Sequence, residues 1–300
     1  MENANRVNPS YPHLKKIPHT VAPAWPALST GRFAATIRRE SSRGCAVALL
    51  GLPDDAGVKL NGGRPGARNG PRAFRAALAR YGTIQPGLPK VFDAGDVVPG
   101  RSLEETHRRV TLATAALLDA GLLPIAIGGG HDLTFPFVRA VAARHRDMAG
   151  VYFDAHLDVR ETRGSGMPFR KLVEDCGVTA LHLHGFRPLV NSPGHLAWFK
   201  AHGGRLHPDG AKISLPRGRD LFVSFDLDVL DAAHAPGVSA LNPAGWTVRE
   251  AEAWVTACGA DSRVRCFDLM ELNPAFDPDG RTARIAVHLF LSFLGGVGRR

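Results

Sequence analysis

The sequence of 300 residues has few cysteines, few aromatic side chains and no long apolar run. Its four cysteines, Cys45, Cys176, Cys258 and Cys266, form no CxxC pair, which argues against a disulfide framework and against a zinc finger. No run approaches the roughly 20 apolar residues that a membrane span requires, and the polar residues 1–16 lack the apolar core of a signal peptide. The sequence therefore predicts a soluble, cytoplasmic protein with reduced thiols.

Acidic residues are fewer than basic ones, 28 against 37, and the formal net charge is +9. Such an excess is one mark of nucleic-acid binding. Here the Lys and Arg residues are dispersed and aromatic residues make up only 7%, so neither a basic groove nor a stacking platform is predicted. We expect no nucleic-acid partner and no membrane partner, and the basic balance suits an enzyme for small anionic substrates.

Short apolar runs alternate with helical patterns from residue 45 onward. The runs, each bounded by Gly, Pro or charge, lie at 45–51, 90–95, 123–129, 149–156, 179–185, 221–226 and 263–269. The helical patterns lie at 71–81, 103–120, 136–144, 195–201, 248–258 and 282–294. This alternation predicts an α/β fold with one parallel, doubly wound sheet. We expect a single domain over 45–300, preceded by an extended N-terminal segment over 1–44.

Carboxylates and histidines follow three of these predicted strands, at the end where open α/β sheets bind their ligands. Residues two apart in an extended segment point to the same side, so each cluster can face one pocket. The six candidate ligands are His131, Asp154, His156, Asp158, Asp226 and Asp228. Each cluster alone has a simpler interpretation, as a loop cap, an Asx turn or a phosphate-binding turn. Their coincidence at three strand ends indicates a shared site.

Four carboxylates in one pocket repel one another strongly unless cations are present. Two divalent ions would supply four positive charges against the four negative ones. The mixture of imidazole and carboxylate favours a hard or borderline ion such as Mn²⁺. Two such ions, bridged by carboxylate and hydroxide, make a hydrolytic site that works at neutral pH.

Several motifs occur in one order along the chain and carry a family resemblance. They are GLPDDAG (51–57), GRPGARNGPRAFR (63–75), GGGHD (128–132), FDAHLD (153–158), SFDLDVLDAAHAPGVSA (224–240) and ELNP (271–274). Over about residues 45–295 the chain resembles the ureohydrolase superfamily of arginases, agmatinases and formimidoylglutamases. The resemblance implies a three-layer α/β/α sandwich around a mainly parallel sheet, two Mn²⁺ ions per subunit and assembly into a homo-oligomer.

The resemblance also implies a role for each matching residue. It divides the ligands between two ions, with His131 and Asp158 on one, His156 and Asp228 on the other, and Asp154 and Asp226 bridging. A metal-bridging hydroxide would then attack the amidine or guanidine carbon. Asp228 would also handle the proton that the leaving amine requires. Glu271 would pair with the planar cationic group of the substrate, unless it is an ordinary loop carboxylate.

Three features are similar to the formimidoylglutamase branch: PGVSA at 236–240, the pattern DAHxDxR ending in Arg160, and GSGMPFR at 164–170. That branch hydrolyses N-formimidoyl-L-glutamate to L-glutamate and formamide in histidine degradation. A substrate with two carboxylates calls for cationic donors, and the planar guanidinium of arginine suits them. We expect substrate contacts from Asn61, Arg64, Arg160, Arg170 and Glu271.

Some positions depart from the superfamily pattern and keep alternatives open. The arginase branch has a proton-transferring histidine in the loop after DAHxD, and loop 161–171 here has none. Asp132 and the Leu-Asn-Pro at 241–243 also differ. The alternative function is a urea-releasing hydrolase of a guanidino substrate, of the arginase, agmatinase or guanidinobutyrase type. A metal-binding homologue without catalysis is the third interpretation, and the presence of all six ligands argues against it.

The remaining histidines need no common explanation. We interpret five of them as core or surface residues rather than a further metal site: His182, His184, His195, His202 and His207.

Overall fold

The computed structural model describes residues 16–82, 84–145 and 147–300. These residues form one sheet of nine strands: β1 (Thr20–Val21), β2 (Val47–Leu52), β3 (Val91–Val97), β4 (Leu123–Gly128), β5 (Met148–Phe153), β6 (Ala180–His184), β7 (Gly204–His207), β8 (Asp220–Asp226) and β9 (Val264–Met270). Their order across the sheet is β1-β3-β2-β4-β9-β8-β5-β6-β7. β1 is antiparallel to β3, and all the other neighbouring strands are parallel.

Helices cover both faces of the sheet. They are α1 (Phe33–Thr36), α2 (Ala56–Leu60), α3 (Gly70–Leu78), α4 (Leu103–Asp119), α5 (Thr134–Ala142), α6 (Pro168–Cys176), α7 (Pro193–Ala201), α8 (Val248–Ala260) and α9 (Arg281–Val297). Side chains of α3, α8 and α9 share one apolar core with the sheet, and those of α4 to α7 share the other. The expected three-layer α/β/α sandwich with a mainly parallel sheet is therefore confirmed. No helix in the described ranges combines the length and apolar character needed to cross a membrane.

The predicted elements are all present, with bounds that differ by a few residues. The sequence missed two short edge strands, β1 and β7, and three helices, α1, α2 and α6. The loop expected over 161–171 in fact ends in α6, which begins at Pro168. Proline is tolerated at the first position of a helix, because the N–H that it lacks has no hydrogen-bond partner there. The Gly- and Pro-rich sequence before Pro168 is typical of a loop, and for this reason the start of α6 was not predicted.

The described part of the N-terminal segment packs on the domain rather than extending away from it. It contributes β1 and α1 and buries Ile17 and Phe33. The Trp25 indole donates a hydrogen bond of 2.8 Å to Oδ2 of Asp93, and Arg75 donates to the same oxygen. Residues 1–15 of this segment lie outside the described residues, and the boundary at residue 44 stays a prediction.

Strand order decides which chain segments meet at the carboxyl edge of the sheet. β4, β9, β8 and β5 are neighbours at its centre, although β4 and β5 are consecutive in the chain. Every residue of β5 is buried, as expected for a strand covered on both faces. The segments that follow these four strands therefore lie side by side.

Candidate metal centre

All six predicted ligands lie at the carboxyl ends of three central strands. His131 follows β4, Asp154 comes directly after β5, and Asp226 is the last residue of β8. The ligand atoms form two groups within which they lie no more than 4.8 Å apart: His131, Asp154, Asp158 and Asp226 in one, and Asp154, His156 and Asp228 in the other. We call these the first and the second ligand group. Asp154 belongs to both, which is the arrangement expected of a bridging carboxylate.

Both imidazoles turn Nδ1 toward carboxylates. His131 Nδ1 lies 3.0 Å from Oδ2 of Asp158, 3.0 Å from Oδ2 of Asp226 and 3.2 Å from Oδ2 of Asp154. His156 Nδ1 lies 3.3 Å from the other oxygen of Asp154 and 3.1 Å from Asp228 Oδ2. Asp154 thus presents one oxygen to each group. We take this as the geometric basis for two adjacent cation sites.

Despite these short distances, several buried polar atoms of the centre have no partner in hydrogen-bond geometry among the described residues. They include His131 Nδ1, Asp154 Oδ2 and Asp228 Oδ1. Buried polar atoms are rarely left unsatisfied, because their desolvation is costly. Imidazole nitrogen and carboxylate oxygen are donors that suit Mn²⁺. The residues present therefore fit a pair of divalent cations.

The protein alone must neutralise this cluster with protons. Burial, with the charges of Asp158 and Asp228, raises the pKa of Asp154 to about 6. Burial lowers the pKa of His156, but Asp228 and Asp154 outweigh it and raise that pKa to about 12. Divalent cations would replace these protons, so metal binding at this centre releases protons and tightens as the pH rises.

A buried hydrogen-bond chain orients His131 from behind. Its Nε2 lies 3.1 Å from Ser224 Oγ, and that hydroxyl donates to Asp268 Oδ1 at 2.6 Å. Thr134 donates to the other oxygen of Asp268 at 3.1 Å. Sequence reasoning missed these three residues. The available signal was an acid inside the apolar strand 263–269, where a carboxylate needs buried partners.

Glu271 joins the centre from the end of β9. Its Oε1 accepts a hydrogen bond of 2.8 Å from the His131 backbone, and its Oε2 is buried without a partner in the described part of the chain. Burial raises the pKa of Glu271 to about 8. Glu271 and Asp158 both have positive φ, 65° and 48°, a conformation that non-glycine residues adopt mainly where the surroundings enforce it.

A cavity of about 290 Å³ opens above the centre. Beyond the carboxylates and histidines of the centre and Glu271, its wall is formed by Asn61, Gly62, Gly63, Arg160, Ser165, Val190, Asn191, His195, Ser239 and Ala240. Within the described residues this upper wall holds an arginine and a histidine but no acid. Asn61, Arg160 and Glu271 thus lie where the sequence analysis expected substrate contacts.

The other two predicted substrate contacts lie elsewhere. The Arg64 guanidinium donates to the carbonyl oxygens of Pro236 and Val238 and stacks over the Phe276 ring at 3.9 Å. It holds the PGVSA loop and does not line the cavity. Arg170 lies in α6, where it pairs with Glu174 at 2.7 Å. Neither guanidinium lines the cavity, and a substrate contact from either one stays a prediction.

The histidines outside the centre divide between cavity and core. His195, in the first turn of α7, lines the cavity, so its interpretation as an ordinary core or surface residue missed this placement. His202 stacks on Trp198 with ring centres 4.0 Å apart. His182, His184 and His207 stack on one another, and they belong to neither ligand group.

One class of metal-dependent hydrolases has an α/β/α sandwich with a mainly parallel sheet and two adjacent groups of carboxylate and histidine ligands at its carboxyl edge. The described structure has these features. The chain belongs to the arginase family, whose model matches residues 45–295. A formimidoylglutamase of Ralstonia nicotianae is 36% identical over 279 residues, covering 84% of this chain and 85% of the relative. The mitochondrial guanidino acid hydrolase of Homo sapiens is 32% identical over 288 residues, covering 85% and 79%.

Solved structures agree with these sequence relatives. The crystal structure of Trypanosoma cruzi formiminoglutamase with Mn²⁺ superposes with a TM-score of 0.80 at 31% identity, covering 85% of this chain and 94% of that one. The family resemblance inferred from the motifs is thereby confirmed.

Proposed function

We propose that this protein is a dinuclear manganese hydrolase that converts N-formimidoyl-L-glutamate to L-glutamate and formamide. One observation carries the proposal beyond the family: a cavity whose floor is the two ligand groups and whose upper wall offers Arg160 and no carboxylate. Relatives that bear the name formimidoylglutamase support the choice of substrate.

The metal ions would be held by the two ligand groups, with Asp154 shared between them. Two bound Mn²⁺ ions would polarise the substrate and lower the pKa of a water molecule. The overall reaction adds water across the amidine carbon. The bond from that carbon to the glutamate nitrogen breaks, and the nitrogen leaves after it takes up a proton.

The chain's own residues orient the amidine and move the proton. Glu271 Oε2 is buried without a hydrogen-bond partner in the described ranges, and a planar amidinium would satisfy it with a charged hydrogen bond. Asp228 Oδ1 is also buried without a hydrogen-bond partner among the described residues, and Asp228 borders the cavity. We assign to Asp228 the proton that the leaving nitrogen requires.

The upper wall would bind the two carboxylates of the substrate. Arg160 makes no ion pair with any described residue, and its side chain lies over Gly166 beside the cavity. His195 and Asn61 border the same space and can donate hydrogen bonds. A free guanidinium, an imidazole and an amide form a wall that favours an anionic substrate tail over a cationic one.

A guanidino acid is the second candidate substrate. Such a substrate also carries a carboxylate, so Arg160 would suit it, and the human relative is named a guanidino acid hydrolase. Cleavage of a guanidino group releases urea instead of formamide.

The two functions are separated by their products. The Mn²⁺-loaded protein would be incubated with formimidoylglutamate, guanidinobutyrate, arginine and agmatine, and the products followed by NMR. We expect formamide and glutamate, and no turnover by Asp226→Asn. Urea would replace the first function by the second. No product from a protein with two bound ions would contradict both. Homo-oligomeric assembly and a cytoplasmic location stay predictions, tested by light scattering and cell fractionation.

A further inference from the structure

Asn191 lies in the segment between β6 and α7, and its side chain closes onto the ligand segment that follows β5. Its Oδ1 accepts a hydrogen bond of 2.9 Å from the Leu157 backbone N–H. Its Nδ2 donates to the Ala155 carbonyl at 2.9 Å. These two backbone groups flank His156, so a single amide grips the chain on both sides of this ligand.

The Asn191 side chain also makes a hydrogen bond within its own segment of the chain. Nδ2 also donates to the Arg187 carbonyl at 2.8 Å, and the Arg187 N–H donates to the Ala155 carbonyl at 3.0 Å. The strand pairing of β5 with β6 ends at Phe153 and His184. Beyond that point Asn191 supplies the hydrogen bonds that a neighbouring strand would otherwise provide.

The two ligand histidines differ in what holds them. The His131 ring is fixed through Nε2 by Ser224, and its backbone is fixed by Glu271. Nε2 of His156 has no hydrogen bond to any described residue, and its side chain is 28% exposed against 1% for His131. The orientation of the His156 ring therefore depends on its backbone. The His156 N–H donates to Asp154 Oδ1 at 2.6 Å, and Asn191 holds the backbone at the two flanking residues.

We infer that Asn191 is a positioning residue for the second ligand group, and that its amide sets the affinity for the ion held by Asp154, His156 and Asp228. The inference rests on the metal centre of the proposed function. Nothing in it requires Asn191 to touch a cation. Outer groups that orient metal ligands typically change metal affinity by about 10- to 100-fold when they are removed.

The test is a Mn²⁺ titration of the purified full-length protein and of Asn191→Ala, by calorimetry and by electron paramagnetic resonance. We expect the wild type to bind two ions with spin coupling between them. In Asn191→Ala one of the two ions should bind at least about tenfold less tightly than in the wild type, while the affinity for the other changes little. At intermediate Mn²⁺ the variant should show the hyperfine signal of an isolated ion.

A second variant separates positioning from charge. Asn191→Asp keeps an acceptor for Leu157 but turns an oxygen toward the Ala155 and Arg187 carbonyls. The added negative charge alone would strengthen cation binding, whereas loss of the hydrogen bonds to the Ala155 and Arg187 carbonyls would weaken it. We expect weaker binding of the second ion. Asn61→Ala is the matched control, since it removes an amide from the wall of the same cavity and should leave both affinities unchanged.

The outcomes distinguish this inference from the proposed function. If the wild type binds fewer than two ions, the dinuclear centre is wrong and the role of Asn191 is lost with it. If the wild type binds two and Asn191→Ala binds both equally well, only the role of Asn191 is wrong. Equal loss of both ions in Asn191→Ala would also contradict it, because a general structural defect affects both groups. Turnover that recovers in Asn191→Ala at high Mn²⁺ supports positioning.

Discussion

Two groups of histidines lie on or just after strands of the same sheet, and their surroundings are opposite. His131 and His156 point Nδ1 at carboxylates. On β6 and β7, His182 and His207 face each other instead, with Nδ1 and Nε2 3.0 Å apart. His184 is sandwiched there between His207 and Trp254, with ring centres 4.3 and 4.2 Å away.

The direction of the pKa shift records this difference. Burial, together with the neighbouring histidines, lowers the pKa of His182 to about 4 and that of His184 to about 3. Burial opposes protonation of His131 too, but Asp226 and the other carboxylates raise its pKa well above the ordinary value. Residue type is the same in the two groups. The neighbours decide whether an imidazole can serve a cation or packs as a ring.

The same substitution, made once among the ligand histidines and once among the stacked histidines, tests this comparison most directly. His156→Gln removes a ligand and should lower hydrolysis about a thousandfold, because metal assistance is worth several kcal/mol. His207→Gln should leave hydrolysis within about twofold. Steady-state rates at fixed Mn²⁺ check both. A large loss in His207→Gln would mean that the stacked histidines share in the chemistry.

Metal removal should act on stability through the two ligand groups and not through the stacked histidines. Mn²⁺ at 100 times its dissociation constant should raise the free energy of unfolding by about 2.7 kcal/mol per site. Urea titrations with Mn²⁺ and with a chelator measure this gain. His207→Gln should keep the full gain, and His156→Gln should lose part of it. An equal gain in all three proteins would show that Mn²⁺ binds elsewhere.

The arginines extend the comparison to the substrate. Arg160→Gln should lower kcat/KM for formimidoylglutamate about tenfold, because a hydrogen bond to a charged group is worth about 1.5 kcal/mol or more. Arg170→Gln removes a guanidinium that is already paired with Glu174 and should have little effect. Kinetics with both variants decide between them. A greater loss in Arg170→Gln would restore the sequence-based expectation.

The smallest expected effect lies in the stacked group and depends on pH. Unfolded His184 takes up a proton as the pH falls from 7 to 6, whereas folded His184, with its pKa of about 3, does not. Acidification therefore lowers the free energy of unfolding, and His184→Phe should remove about 0.7 kcal/mol of that loss. Urea unfolding at both pH values, with chelator present, provides the measurement. Identical pH dependence in both proteins would contradict the buried neutral state of His184.

Local pattern sufficed for most of the fold and for the six candidate ligands. Apolar runs and helical periodicity depend on neighbours in the chain, and the spacing of Asp226 and Asp228 needed only the alternation of an extended segment. That these ligands bind metal stays a prediction. Their assembly into two groups also required three separate strand ends to meet, which the predicted parallel sheet supplied.

The remaining site residues depend on contacts that local pattern does not contain. Asn191 meets the ligand segment 34 to 36 residues away only because β6 pairs with β5. The placement of Arg64 outside the cavity wall could not be predicted, because composition reveals a charge but not its partners, and its acceptor in Pro236 lies 172 residues along the chain. Knowledge of which strands are neighbours would have been needed for both.

Strand order has a consequence for the folding of this protein during its synthesis on the ribosome. His131, Asp154, His156 and Asp158 are synthesised long before β8 and β9, yet these later strands separate β4 from β5 in the finished sheet. A nascent chain that ends before β8 has made four of the six ligands and has no sheet that can bring them together. Such non-local pairing forms late. The cations of the proposed centre would therefore bind only after β8 and β9 have joined the sheet, and a half-made chain would offer them few ligands.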